Sequence, residues 1–97
     1  MNVDADGRVR VDGPLTFATV SAHLADSAPL FRPRQRLSFD LSGVTAVDGA
    51  ALALLVEWLR LGRQKGVQVE FTAVPAALRS LAEVSELDQI DASLAAP

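Results

Sequence analysis

Polar and apolar residues alternate through Arg8, Val9, Arg10 and Val11, which puts both valines on one face of a strand. The Asp6-Gly7 pair ahead of it suits the positive φ angles of a tight turn, so this strand is a candidate second arm of a hairpin. After Gly13-Pro14 the period changes. Thr16 is placed to cap a helix through FATVSAHLADSA, where Phe17, Val20 and Leu24 form a stripe at helical spacing. APLFRPRQR is a proline-punctuated loop. In RLSFDLS, Leu37, Phe39 and Leu41 alternate with Ser38 and Asp40, a strand predicted to end near Leu41 in a turn. Asp48 stands at an N-cap, a helix follows from Gly49 to about Gln64, and Gly66 ends it where left-handed backbone carries little strain. VQVEFTAV, residues 67 to 74, is strand-like, and Pro75 suits the first turn of a last helix with Leu78, Leu81, Ala82 and Leu87 facing inward. The tail DQIDASLAAP is expected to fray.

The element order is strand, helix, strand, helix, strand, helix. Strand 37 to 41, helix 49 to 64 and strand 67 to 71 have the length of a β-α-β unit, so these strands are expected to be parallel with a right-handed crossover. The fold class is α/β: a small mixed sheet with about three helices packed mainly on one face. A chain of 97 residues suits one domain, 1 to 97, with an ordered core from about 6 to 90.

Composition narrows the function classes. The net charge of −3, with both signs mixed along the chain, offers no basic stripe for a phosphate backbone, so nucleic acid is not an expected partner. FRPRQR, the densest positive cluster, reads as a solvated loop, with a patch for an acidic partner as the alternative. The absence of cysteine removes disulfides, thiolate metal sites and cysteine nucleophiles. MNVDADGRVRV is too polar for a secretory signal, and the run Ala50 to Val56 is far short of the roughly 20 residues of a membrane span. A soluble, untargeted chain with no direct membrane insertion is expected.

Catalytic constellations are weak. His23 has Ser21 and Asp26 near it in sequence, but i−2 and i+3 neighbours do not form a triad, and a half-buried structural histidine is the simpler reading. Asp40 and Asp48 bracket the strand-to-helix loop where ligands often sit in α/β folds. They could form an acid/base pair, but a capping Asp48 and a solvent-facing Asp40 explain them without catalysis. SGVTAVDGAA lacks the lysine and glycine spacing of a phosphate loop, and Asp48 at the cap repels an anion. No enzymatic activity, cofactor or metal is expected.

The long helix is apolar almost all round. On a wheel of about 100° per residue, Leu52, Leu55, Val56 and Leu59 form one face, suited to the sheet. Leu54, Trp58 and Leu61, with Ala50 and Ala51, lie roughly opposite, and Glu57, Arg60 and Gln64 form a narrow polar edge. Either neighbouring helices cover this second stripe or it is exposed for a partner. The enrichment of tryptophan at binding hot spots favours exposure. The expected protein interface is Asp48, Gly49, Ala50, Ala51, Leu54, Glu57, Trp58 and Leu61, with Trp58 as its anchor.

DLSGVTAVDGAALALL resembles the central signature of STAS domains: a strand, DLS, a variable turn, Asp, two small or hydroxylated residues and a leucine-rich helix. The resemblance covers essentially the whole chain. VDGPLTFATV, residues 11 to 20, and residues 47 to 87 look most like the MlaB-like branch. That resemblance implies a cytoplasmic accessory subunit, peripheral to the inner membrane, that binds the ATPase subunit of an ABC transporter moving phospholipid for outer-membrane lipid asymmetry. It leaves a homodimer open. The rival implication is an anti-sigma-factor antagonist. Regulatory STAS proteins accept phosphate on a serine or threonine after the Asp, where this chain carries Gly49 and Ala50, so switching at that site is chemically impossible here. Ser42 and Thr45 lie upstream, off the matching position.

Overall fold

The computed structural model describes residues 3–84. Three strands, β1 (Arg8–Leu15), β2 (Arg36–Val47) and β3 (Gln68–Thr72), form one sheet in the order β1-β2-β3. Both pairings are parallel. Three helices alternate with them: α1 (Val20–Ser27), α2 (Gly49–Lys65) and α3 (Ala76–Val84). The expected β-α-β unit is thus present as β2-α2-β3. The three-stranded sheet is parallel throughout, and outside it an antiparallel bridge joins Val3 to Val9. It closes a hairpin turn in which Gly7, at φ +82, donates to the Asp4 carbonyl. A side chain at Gly7 would also collide with the Arg36 carbonyl oxygen.

One face of the sheet is dry. Val9, Phe39 and Phe71 stand in register across the strands and are all buried, with Val11, Leu37 and Leu41 beside them. The residues between them are exposed or half-buried, including Arg8, Arg10, Asp40 and Glu70. This alternation is the signature of a sheet covered on one side only, so the helices gather on the apolar face. On the polar face Arg10 pairs with Asp12 at 2.9 Å and Arg36 with Glu70 at 3.4 Å.

Three sequence expectations are corrected here. β2 does not stop near Leu41: it continues to Val47, pairing with β1 as far as Leu15↔Val47. It does so with two register shifts, each placing an extra residue on β2. At Gly43 a β-carbon would meet Asp12 Oδ1, the end of an exposed side chain, and lie 3.2 Å from the Val11 carbonyl oxygen, so a larger residue would displace the Asp12 carboxylate from its place beside Arg10. The first helix begins at Val20, not after Thr16, and Phe17 lies in the preceding turn, 86% exposed. β3 ends at Thr72, because Ala73 turns to φ +53. Leu87, the tail and the limit at residue 90 lie outside the described residues.

Helix α2 keeps its expected ends. Asp48 caps its start, and Gly66, at φ +71, closes it with Val67 donating to the Gly62 carbonyl. Its burial differs from the expected two stripes. Ala51, Leu52, Leu54, Leu55, Trp58, Leu59 and Gly62 are all buried, while Val56, assigned to the sheet face, is exposed. These residues span one arc of about 160° centred on Ala51, Leu55, Trp58 and Gly62. The stripes therefore meet through small residues. At Gly62 a β-carbon would lie 2.8 Å from the Val67 carbonyl oxygen and 2.7 Å from Val69, so its absence lets α2 settle onto the β3 side of the core.

Candidate functional site

The expected anchor belongs to the core. Trp58 is fully buried, its indole stacked on Phe39 at a centroid distance of 4.0 Å and 13° between planes. Its Nε1–H donates to Ser27 Oγ at 2.7 Å, and that hydroxyl donates to the Leu24 carbonyl. Ser27 is the one buried polar residue among the described residues, and it answers the polar end of the indole. Leu54 and Ala51 are buried too, while Leu61 is half-buried. Exposure of the second stripe is thus corrected: α1 and the aromatic cluster of Phe31, Phe39 and Phe71 leave that side of α2 no open face at Trp58.

What remains accessible is the start of α2. Gly49 and Ala53 are exposed and Ala50 and Glu57 half-buried. Between α1 and α2 runs a largely apolar groove lined by Val20, Leu24, Ala50, Ala53 and Leu54, with Ser21 and Glu57 as its polar members. Glu57, at its rim, accepts from Arg60 Nε at 2.9 Å, and that guanidinium holds the Glu57 carboxyl below its ordinary pKa. At the two positions after Asp48 stand Gly49 and Ala50, so no hydroxyl is presented there, and the hydroxyl residue lining the groove is Ser21 of α1.

Asp48 organises this end of the molecule. Oδ1 accepts from the Ala50 N–H at 2.9 Å, the N-cap bond, and Oδ2 accepts from the Phe17 N–H at 3.1 Å. Its own N–H donates to the Leu15 carbonyl at 3.3 Å. The end of β1, the Phe17 turn and the start of α2 thus converge on one residue. Thr19 braces the turn from the other side: Oγ1 donates to the Pro14 carbonyl at 2.7 Å and accepts from the Thr16 N–H at 3.0 Å. Phe17, which the sequence placed in the core-facing stripe of α1, is therefore displayed outward. A signal for this was present: Val20, Leu24 and Ser27 complete an i, i+4, i+7 stripe without it.

The other chemical candidates stay apart. Asp40 lies on the polar sheet face, its Oδ1 accepting from the Ser42 N–H at 2.9 Å, a bond that lowers its pKa. It is separated from Asp48 by roughly 25 Å of extended chain, so the two carboxylates form no acid/base pair. His23 is half-buried on α1, and its N–H donates to the Thr19 carbonyl. Among the described residues no cluster of His, Asp and Glu could hold a metal ion, and no helix is long and apolar enough to cross a membrane.

A family model described as "Mlab, STAS domain" matches residues 2–95. No curated protein matches the chain.

Proposed function

This chain belongs to the STAS domain family, and from that premise we propose that it is a non-enzymatic accessory subunit of an ABC phospholipid transporter, binding the ATPase subunit in the cytoplasm. STAS domains are in general binding and regulatory modules rather than catalysts, and the MlaB-like description of the matching model supports the transporter branch. On this reading the chain is peripheral to the inner membrane through its partner and serves outer-membrane lipid asymmetry. The contact is the start of α2 (Gly49, Ala50, Ala53, Glu57) together with the Phe17 turn, not the Trp58 stripe.

One observation carries the surface. Phe17 is 86% exposed while every other aromatic residue of the chain is buried in a single cluster. An exposed aromatic residue tied through its backbone to the start of α2, where a groove lined mainly by small and aliphatic residues opens, has the make-up of a protein interface core. Gly49 and Ala50 in place of a hydroxyl make the contact one of packing, with no phosphate switch at that site. Affinity purification from the native host, followed by mass spectrometry, is expected to recover an ABC ATPase stoichiometrically. Recovery of a kinase-like anti-sigma factor instead would replace this reading with the antagonist one.

A further inference from the structure

We propose that Asp48 is a positioning residue for the docking surface: its second carboxylate oxygen fixes the Phe17 turn against the start of α2, so that aromatic and helix end are presented as one rigid unit. The inference rests on the docking reading above and adds to it the residue that sets the geometry of the contact.

A helix cap requires one acceptor oxygen, and Asp48 Oδ1 already serves Ala50. The bond from Phe17 N–H to Oδ2 spans 31 residues of sequence and contributes nothing to the α2 cap itself. What it ties down is a turn whose central side chain is 86% exposed and has no core of its own to hold it. Thr19 supplies the opposite brace through Pro14 and Thr16. The turn is thus held at both ends, by Thr19 to β1 and by Asp48 to α2. Rigidity of this kind matters for an exposed aromatic ring, because an anchor ordered before binding loses little freedom on binding.

The substitution that separates the two oxygens is Asp48→Ser. Serine caps helices about as well as aspartate, but its single oxygen, close to the backbone, serves the helix alone. The test measures three quantities on the full chain: thermal midpoint, amide hydrogen exchange at Phe17, and affinity for the ATPase subunit recovered by co-purification. Asp48→Ser should leave the midpoint nearly unchanged, raise Phe17 exchange by about tenfold or more, and weaken binding by about fivefold. Phe17→Ala should weaken binding by about tenfold, and the double variant should bind no worse than Phe17→Ala alone, since Asp48 acts through Phe17. Asp48→Asn, with one acceptor oxygen for two N–H donors, is the second variant should serine shift the midpoint.

Wild-type affinity or unchanged Phe17 exchange in Asp48→Ser overturns the proposal, as do losses that add in the double variant, which would make Asp48 a contact in its own right. If Phe17→Ala and Ala50→Arg both bind as wild type, the docking surface itself is wrong and the positioning role falls with it. A loss in Phe17→Ala without one in Asp48→Ser overturns the positioning role alone.

Discussion

At Trp58 a large apolar ring leaves water against Phe39, and its one polar atom leaves water against Ser27. Truncating such a residue costs about 3–5 kcal/mol, and placing a carboxylate there adds the cost of an unpaired buried charge. Since a domain of this size has about 5–15 kcal/mol of stability in all, Trp58→Glu is expected to unfold the protein, seen as loss of far-UV circular dichroism at 25 °C. A folded variant with a near-native melting curve would return the indole to the surface. Sequence reasoning favoured the opposite because tryptophan is enriched both in cores and at hot spots, and its own letter does not say which. The deciding partner, Ser27, lies 31 residues away on another helix. Asp48 as a cap and Gly66 as a terminator were legible because their roles are local. The bond from Phe17 to Asp48 was not, since it joins two segments that only the parallel pairing of Leu15 with Val47 brings together.

Among the elements, α2 was the most legible in extent and the least in orientation. Its periodicity fixed a helix of about the observed length, but a helix apolar on most of its circumference has two equally good ways to face a sheet. Small residues decided between them. Ala51 and Gly62 lie at the centre of the buried arc and carry little hydrophobic weight, so a wheel weighted by large side chains pointed to either side of the true contact. Gly62→Ala tests this directly. The added methyl would meet the Val67 carbonyl oxygen and Val69, and overpacking of that kind costs about 1–3 kcal/mol although alanine is the better helix former. The expected result is a lower midpoint in urea with an unchanged m-value; a stabilised Gly62→Ala would show that α2 and β3 can part without cost. β2 was misread for a related reason: SGVTAV has the small and polar residues of a turn, yet it stays paired with β1 through two bulges.

At the scale of the whole molecule, the core and the surface proposed for the contact are carried by the same helix on different arcs. The α/β class and the β-α-β unit follow from hydrophobic period and length, whereas the order β1-β2-β3 within the sheet came from the structure. Which side chains of α2 are buried, and so which are left for the proposed surface, needed the structure. Ala50→Arg puts a long cation at the start of α2, where the helix dipole opposes it by only about 0.3–1 kcal/mol. It should therefore lower the thermal midpoint by less than about 8 °C while weakening ATPase binding by about tenfold or more. Equal losses of stability and binding would mean that the two arcs are not separable.

The buried stack of Trp58 on Phe39 also supplies an optical label. Trp58 is the only tryptophan and the chain has no tyrosine, so emission excited near 295 nm arises from one indole inside the core. That signal reads the folded state of this chain and stays silent at the Phe17 and Ala50 surface. Titration with a partner subunit free of tryptophan should leave it nearly constant, while denaturant shifts it to the red, so one fluorometer trace distinguishes a variant that has lost its partner from one that has lost its fold.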